Sequence, residues 1–275
     1  AAQDLFLTQS AVSQYIGSLE SSYGLKLFDR MHRKISLTEA GEKLYRYAVE
    51  IEHLYQEAEK AMRSLSETVS GRLHIGASLT TGEYLLPEIL AKFNRLYPGV
   101  DISMDIYNTE QIMRMVLDGQ LDAGFIEGAV ELPPSLEGQV CGGDELVIIA
   151  PATNDLFREC TTLEKMLNQR WILRESSSGT RTSFEAFLHR YNHDPSTLNI
   201  GMELGSTQAI KEAVKAGLGI APISSLAVAD EIQRGEFQVL PLTEGPITRN
   251  FILLTNRDKF KTYTTEMFLE FVLSV

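Results

Sequence analysis

Apolar residues near the start of the chain recur at helical spacing and are followed by short extended pieces. Thr8 belongs to a residue type favoured at helix N-caps, and Gly24 is of the type that ends helices. The apolar positions between them are Ala11, Val12, Ile16 and Leu19. They fall on one face of a helix, and residues 25–37 alternate as two short strands around a basic turn. The pattern predicts a helix followed by a two-stranded wing.

The other faces of this predicted helix carry hydroxyl and amide groups rather than charges. Such groups can hydrogen-bond base edges and phosphates when the first turns of a helix lie in a major groove. Cations of the wing would then contact phosphates. An ordinary solvated helix face is the alternative interpretation of so short a pattern. The candidate DNA-binding residues are Thr8, Gln9, Ser10, Ser13, Gln14, Arg30, Arg33 and Lys34.

A second helical pattern runs from Thr38 to about Glu67 without a proline. Its apolar residues alternate steps of four and three, as in the seam of a coiled coil. These residues are Leu44, Ala48, Ile51, Tyr55, Ala58, Met62 and Leu65. We therefore expect a long linker helix through which two copies pair, so that two DNA-binding heads meet two half-sites. A helix packed on its own domain is the alternative.

The spacing of the hydrophobic residues changes after Ser70, where segments with the alternation of a strand are followed by segments with the pattern of an amphipathic helix. Residues 73–126 give the order β-α-β-α-β, and a similar alternation returns between Glu145 and Ile223. This order predicts an α/β fold in two lobes, with a parallel sheet covered by helices.

Composition refines this picture without changing it. The 275 residues are 44% hydrophobic and carry a net charge of −12, but residues 1–38 hold four Lys or Arg against three Asp or Glu. A weakly basic head on an acidic body predicts modest non-specific affinity for DNA. No apolar run is long enough for a membrane span, and Cys141 and Cys160 lack metal-ligand spacing. We therefore expect a cytoplasmic protein with reduced cysteines, no metal and no membrane partner.

Three loops rich in hydroxyl groups follow predicted strands: residues 76–82, 108–109 and 176–181. Loops of this kind collect at one edge of a parallel sheet, where helix N-termini favour anions. Helix capping alone is the alternative explanation for each loop. Their convergence predicts a binding cleft for a small anion.

Four runs near the start resemble the winged helix-turn-helix of LysR-type transcriptional regulators. They are Thr8–Gln14, Leu19–Glu20, Gly24–Arg30 and Leu37–Gly41. Ser10 departs from the pattern, because the family often has proline there. The resemblance implies that residues 1–7 belong to a preceding helix and that a further helix is missing, so we expect a sequence truncated at its start.

The rest of the chain resembles the effector-binding domain of the same family, which has the two-lobed fold of type 2 periplasmic binding proteins. The likeness is carried by residues 72–76, 86–87, 93, 97–98, 121–125 and 216–220. It implies a DNA-binding domain at 1–41, a linker helix at 42–70, lobe I at 71–144 and 256–275, and lobe II at 145–255. The chain would cross between the lobes near Gly143–Glu145 and near Asn256.

The resemblance also implies which residues bind the effector. The candidates are Ser78, Thr80, Thr81, Thr109, Glu127, Ser176, Ser178, Thr180 and Arg181. Glu127 would disfavour a strongly anionic ligand unless it is paired, for example with Arg181. The stretch Ser178–Arg181 is similar to the matching stretch of family members that control sulfur assimilation or carbon fixation.

The function expected from this resemblance is that of a regulator, not an enzyme. A small carboxylate or oxyanion would serve as effector, without a cofactor, and would alter binding to double-stranded promoter DNA. The expected assembly is a dimer through the linker helix and a tetramer overall, with RNA polymerase as a candidate partner. Two other classes use the same bilobal scaffold. A transporter's solute-binding protein would have no DNA-binding head, and a bilobal transferase or lyase would need an acid/base or nucleophile set in the cleft.

Overall fold

The computed structural model describes residues 8–29, 35–64, 69–128, 130–152 and 162–274. The chain divides into two compact units, residues 1–66 and residues 67–275. No helix within these described ranges is both long and apolar enough to cross a bilayer.

The first unit contains a helix, a hairpin and a long second helix. α1 (Gln9–Tyr23) begins where the Thr8 side chain accepts a hydrogen bond from the Ala11 amide at 3.2 Å. Gly24 ends it with φ of 64°, a left-handed conformation that favours glycine. β1 (Phe28–Asp29) pairs antiparallel with β2 (Ser36–Leu37), and α2 spans Glu39–Ser64. The predicted helix, its two ends and the two-stranded wing are confirmed.

Two local devices hold this unit together. The Glu20 carboxylate accepts hydrogen bonds from the Leu27 amide at 2.9 Å and from Lys26 Nζ at 2.6 Å, which ties α1 to the start of the hairpin. On α2, a Cβ at Gly41 would lie 2.1 Å from the Leu27 carbonyl oxygen. Only glycine therefore lets α2 pass this close to the hairpin.

The second unit contains nine strands and seven α-helices among the described residues. The strands are β3 (Ser70–Ala77), β4 (Gly99–Ile106), β5 (Ala123–Glu127), β6 (Leu136–Pro151), β7 (Arg170–Arg174), β8 (Asn199–Leu204), β9 (Ala221–Ser224), β10 (Phe237–Leu240) and β11 (Ile247–Asn256). The helices are α3 (Leu86–Leu96), α4 (Thr109–Leu117), α5 (Leu163–Leu167), α6 (Gly179–Arg190), α7 (Thr207–Lys215), α8 (Ser225–Gln233) and α9 (Tyr263–Ser274). A π-helical turn, Thr81–Leu85, precedes α3, and a 3₁₀ turn, Pro195–Thr197, precedes β8.

The main sheet has seven strands, with β10-β6-β11-β5-β3-β4 in order and β9 beside β6. β3 pairs in parallel with β4 and β5, as the β-α-β-α-β pattern predicts. The sheet as a whole is mixed, however, because β11 runs antiparallel to both β5 and β6. Within this main sheet, the prediction of parallel strands is therefore correct for β3, β4 and β5 only. β7 and β8 form a separate parallel pair.

Separate apolar clusters define two lobes within this unit. Lobe I, built from β3–β5, α3, α4 and α9, buries Phe93, Phe125 and Phe268. Lobe II, built from β7–β10 and α5–α8, buries Trp171 and Phe184. The two-lobed α/β fold expected from the sequence is confirmed.

The long strands β6 and β11 connect the lobes. Their pairing extends from Leu146 opposite Ile247 to Leu136 opposite Asn256, and the register shifts between Phe251 and Ile252. Phe251–Leu254 already pairs with β5 of lobe I. The chain therefore re-enters lobe I within β11 and not near Asn256, because this stretch buries Leu253 and Leu254 in lobe I.

Candidate functional site

The carboxyl ends of three strands meet at one edge of lobe I. The Ser78 amide, just after β3, donates to the Phe125 carbonyl of β5 at 2.8 Å. The Tyr107 amide, just after β4, donates to the Ala77 carbonyl at 3.0 Å. Loops that follow these strands therefore share one location, where polar side chains can be gathered.

Lobe II brings the start of α6 against this edge. Ser178 caps the helix, and its Oγ accepts a hydrogen bond from the Thr180 amide at 3.2 Å. A Cβ at Gly179 would lie 2.6 Å from Cγ of Glu127 and 2.7 Å from its carbonyl oxygen. The absence of a side chain at Gly179 thus lets the two lobes touch at Glu127.

Glu127, the last residue of β5, is buried among hydroxyl groups. Ser78 Oγ donates to its Oε2, and Thr80 Oγ1 donates to its Oε1 at 3.3 Å. Thr81 Oγ1 donates instead to the carbonyls of Phe125 and Ser78, both at 3.2 Å. Thr81 therefore shapes the loop, whereas Ser78 and Thr80 turn their hydroxyls to the carboxylate.

Arg249 of β11 links all parts of the site. Its Nη1 donates to Thr180 Oγ1 of lobe II at 3.0 Å, and its Nη2 donates to Thr80 Oγ1 of lobe I at 3.3 Å. Nη1 also lies 3.4 Å from Glu127 Oε1. The side chain is only 1% exposed. A buried guanidinium thus contacts hydroxyl groups of both lobes at once.

Asp144 of β6 is the main counter-ion of Arg249. Its carboxylate accepts from Arg249 Nε at 2.6 Å and from Nη2 at 2.9 Å, and its side chain is completely buried. The same carboxylate accepts from Ser224 Oγ at 2.5 Å. The two residues are register partners on the strands that connect the lobes. Asp144 therefore compensates most of the positive charge that Arg249 brings into the site.

Burial raises the pKa of Glu127 above its usual value, although the nearby Arg249 guanidinium opposes the shift. Asp144 adds a smaller effect in the same direction as burial, since two carboxylates near one guanidinium disfavour a second negative charge. The site therefore favours the neutral form of Glu127 more than water does.

The predicted pairing of Glu127 with Arg181 is wrong. Arg181 binds Glu185 at 2.7 Å and Glu203 at 2.5 Å, both in lobe II. One residue turns a helix by about 100°, so Arg181 points away from the face on which Thr180 meets Arg249.

The remaining candidates of the cleft differ in their surroundings. Ser176 is exposed, and Ser178 caps α6, as the capping alternative holds. Thr109 is buried at the first position of α4, where Asn108 supplies the cap. Its Oγ1 has no hydrogen-bond partner among the described residues.

Sequence reasoning did not identify Arg249 and Asp144. One signal was present, because Arg249 occupies the same face of an alternating strand as the apolar residues Ile247 and Phe251. A charged residue at such a buried position requires a partner of opposite charge, because an unpaired buried charge costs much free energy. This signal could be interpreted only after residues 247–256 were assigned to a strand, and the hydrophobic periodicity did not predict that strand.

The DNA-binding candidates lie in the first unit. Gln9, Ser10, Ser13 and Gln14 are exposed on the first turns of α1. Arg30, Arg33 and Lys34 lie outside the described residues. The described part of the chain contains no cluster of His, Cys, Asp and Glu side chains that could hold a metal ion.

Two family models match the chain. Residues 1–42 match the bacterial regulatory helix-turn-helix protein model of the lysR family, and residues 66–275 match the LysR substrate binding domain. A probable RuBisCO transcriptional regulator of Cyanidium caldarium is 34% identical over 100% of this chain and 88% of its own length. The Escherichia coli K12 regulator YeiE is 36% identical over 97% of this chain and 88% of its own.

Solved structures agree with these matches. The regulatory domain of CcmR from Synechocystis PCC6803, in complex with 2-PG, has a TM-score of 0.67 and 28% identity, over 74% of this chain and 97% of that one. An OxyR mutant of Corynebacterium glutamicum in an H₂O₂-bound state covers 99% of this chain and 85% of its own, with a TM-score of 0.67 and 19% identity. At that identity the second likeness concerns the fold alone.

We expect Glu127→Gln to flatten the pH dependence of stability. Because the pKa of Glu127 is raised in the folded protein, its contribution is fully present below the pKa of the unfolded chain and is lost as the pH rises through the folded value. Glutamine cannot ionise, so the variant should lose less stability than wild type as the pH rises from acidic to neutral. Urea unfolding across this range measures the difference. The exposed Glu145→Gln is the control, and parallel curves for wild type and Glu127→Gln would contradict the argument.

Proposed function

Because the chain belongs to the LysR family of transcriptional regulators, we propose that a small anion bound between its lobes controls its binding to promoter DNA. One observation carries the proposal: a single buried guanidinium, that of Arg249, contacts hydroxyl groups of both lobes. A ligand bound at the same place would therefore interact with both lobes at once.

The chemistry of the cleft suits an oxyanion or a carboxylate. The hydroxyls of Thr80 and Thr180 contact the Arg249 guanidinium, and that of Ser78 contacts the Glu127 carboxylate. Charge-assisted hydrogen bonds are strongest in such a dry place. The lobes already touch through these side chains, so the ligand enters when they separate. A ligand changes the equilibrium between lobe arrangements only if it binds one of them more tightly.

The comparisons support a link to carbon metabolism more than one to sulfur. Several relatives carry the name probable RuBisCO transcriptional regulator, and the CcmR domain was solved with 2-PG. We propose that the effector of this chain is a small acid of this chemical kind, with no cofactor.

We propose that two copies pair through α2. The seam residues Ile51, Tyr55 and Met62 are 65–68% exposed on the helix. Exposure of so much apolar surface to water costs free energy, and burial against a second copy would remove that cost. Further contacts between effector-binding domains would give a tetramer. We propose that the protein lies in the cytoplasm, because the promoter DNA that it binds lies in that compartment. RNA polymerase is its candidate partner at activated promoters.

The two rival classes are less consistent with the comparisons. A transporter's binding protein does not account for the helix-turn-helix match at residues 1–42. The curated relatives are named as regulators, and the charged groups of the cleft are mutually paired, as in a binding site.

Replacing Gln14 or Ser13 with alanine should weaken specific promoter binding by about 1–3 kcal/mol, because each side chain would lose its contact to a base edge. Footprinting and fluorescence anisotropy on the native promoter measure the loss, and effector affinity should not change. Ser22→Ala is the matched control, since it is exposed in the last turn of the same helix. Equal footprints for all variants would contradict the assignment of α1 as the recognition helix.

A charge in the α2 seam should separate the copies. We expect Ile51→Lys to shift sedimentation toward smaller species, because a buried unpaired ammonium group opposes pairing. Glu52→Lys introduces the same residue one position along the helix and away from the seam, so it should keep the wild-type assembly. An unchanged oligomeric state in Ile51→Lys would show that copies pair elsewhere.

Replacing Thr80 and Thr180 together with valine should abolish ligand binding without unfolding the protein. Thermal unfolding with phosphate, glycolate, 2-phosphoglycolate, shikimate and simple carboxylates tests this, since a bound ligand raises the midpoint. Thr248→Val is the control, as Thr248 is an exposed neighbour of Arg249 on β11. A ligand-induced shift that survives in the double variant would place the pocket elsewhere.

A further inference from the structure

The charges of the cleft leave one negative charge without compensation when Glu127 is ionised. Arg249 is the only cation in direct contact with the Glu127 carboxylate among the described residues. Both oxygens of Asp144 are bound to that same guanidinium. An anion bound at Arg249 would therefore lie beside the Glu127 carboxylate, whose negative charge is not balanced by a cation of its own.

Within the part of the chain that the structure describes, no other charged group around Glu127 corrects this imbalance. Arg174 of β7 acts on it only at longer range and is bound through two nitrogens to Glu175. Arg181 on α6 is bound to Glu185 and Glu203. The loop after β3 offers the hydroxyls of Ser78 and Thr80, which carry no charge.

An anion can bind beside Glu127 only if a proton lies between them. A ligand with an O–H group can donate it to the ionised carboxylate while its own charge stays on Arg249. A ligand without such a group would leave two acceptors facing each other in a buried place, which is costly. The alternative is that Glu127 itself takes up the proton.

We propose, on the basis of the anion site described above, that Glu127 selects effectors carrying an O–H group beside their negative charge. Hydroxycarboxylates, hydrogen phosphate and phosphate monoesters that retain a proton belong to this class. Sulfate and simple carboxylates do not. Glu127 is then the specificity-determining residue, and Arg249 supplies the attraction common to both groups.

Two matched probe pairs test the selection on the whole 275-residue chain. Phosphate is compared with sulfate, and glycolate is compared with acetate, by isothermal titration near neutral pH. Wild type should bind the O–H member of each pair at least about tenfold more tightly, because a site built to accept a hydrogen bond rejects analogues that lack the donor. Glu127→Gln should reduce both preferences, since the amide can donate to an anion. Glu145→Gln should keep them.

A second measurement uses wild type only and does not depend on how the variant folds. Sulfate carries no proton near neutral pH, so its binding requires protonation of Glu127. Its affinity should therefore increase by up to about tenfold for each unit by which the pH falls. Sulfate affinity that does not change with pH overturns the inference.

The remaining outcomes separate this inference from the proposed function. Equal affinity of wild type for both members of each pair overturns the selection by Glu127 and leaves the anion site standing. If no probe binds to wild type, or if binding survives in the Thr80→Val and Thr180→Val double variant, the proposed site is overturned and the inference falls with it.

Discussion

The ion pair between Arg249 and Asp144 is the constraint on which the effector-binding unit depends. It joins neighbouring positions of β6 and β11, the two strands that connect the lobes. Removing either partner would leave an unpaired charge in a buried place, at a cost of several kcal/mol. The pair therefore fixes the guanidinium where the lobes meet. Thr80, Thr180 and Glu127 are arranged around it, one lobe on each side.

Contact between the lobes depends on small residues as well as on charge. Gly179 has no side chain where α6 approaches Glu127, and a Cβ there would collide with the carboxylate stem. Hydroxyl groups of modest size then complete the contact. Because Thr80 of lobe I and Thr180 of lobe II each accept a hydrogen bond from Arg249, a ligand of similar polarity can replace some of those bonds. We propose that this similarity makes the contact between the lobes sensitive to a small anion.

The first unit shows the same dependence on a few local contacts. Glu20 joins α1 to the hairpin, and Gly41 lets α2 pass the Leu27 carbonyl. These contacts fix α1 relative to the start of α2 within this unit. The exposed apolar stripe of α2 is the surface through which we propose that a second copy pairs.

Local pattern in the sequence determined the helix caps at Thr8 and Gly24, the β-α-β order from β3 to β5 and the hydroxyl-rich loops, because these follow from neighbouring residues. Motifs determined the family. Tertiary structure alone decided which charges meet. The sequence offered Arg181 as one example of a partner for Glu127, but the turn of α6 directs Arg181 to Glu185 and Glu203. Arg249 and Asp144 lie far apart in the chain and reach the cleft because antiparallel pairing of β6 and β11 sets them side by side. The partner of a buried charge is set by strand register across the fold, and no local window of sequence contains it.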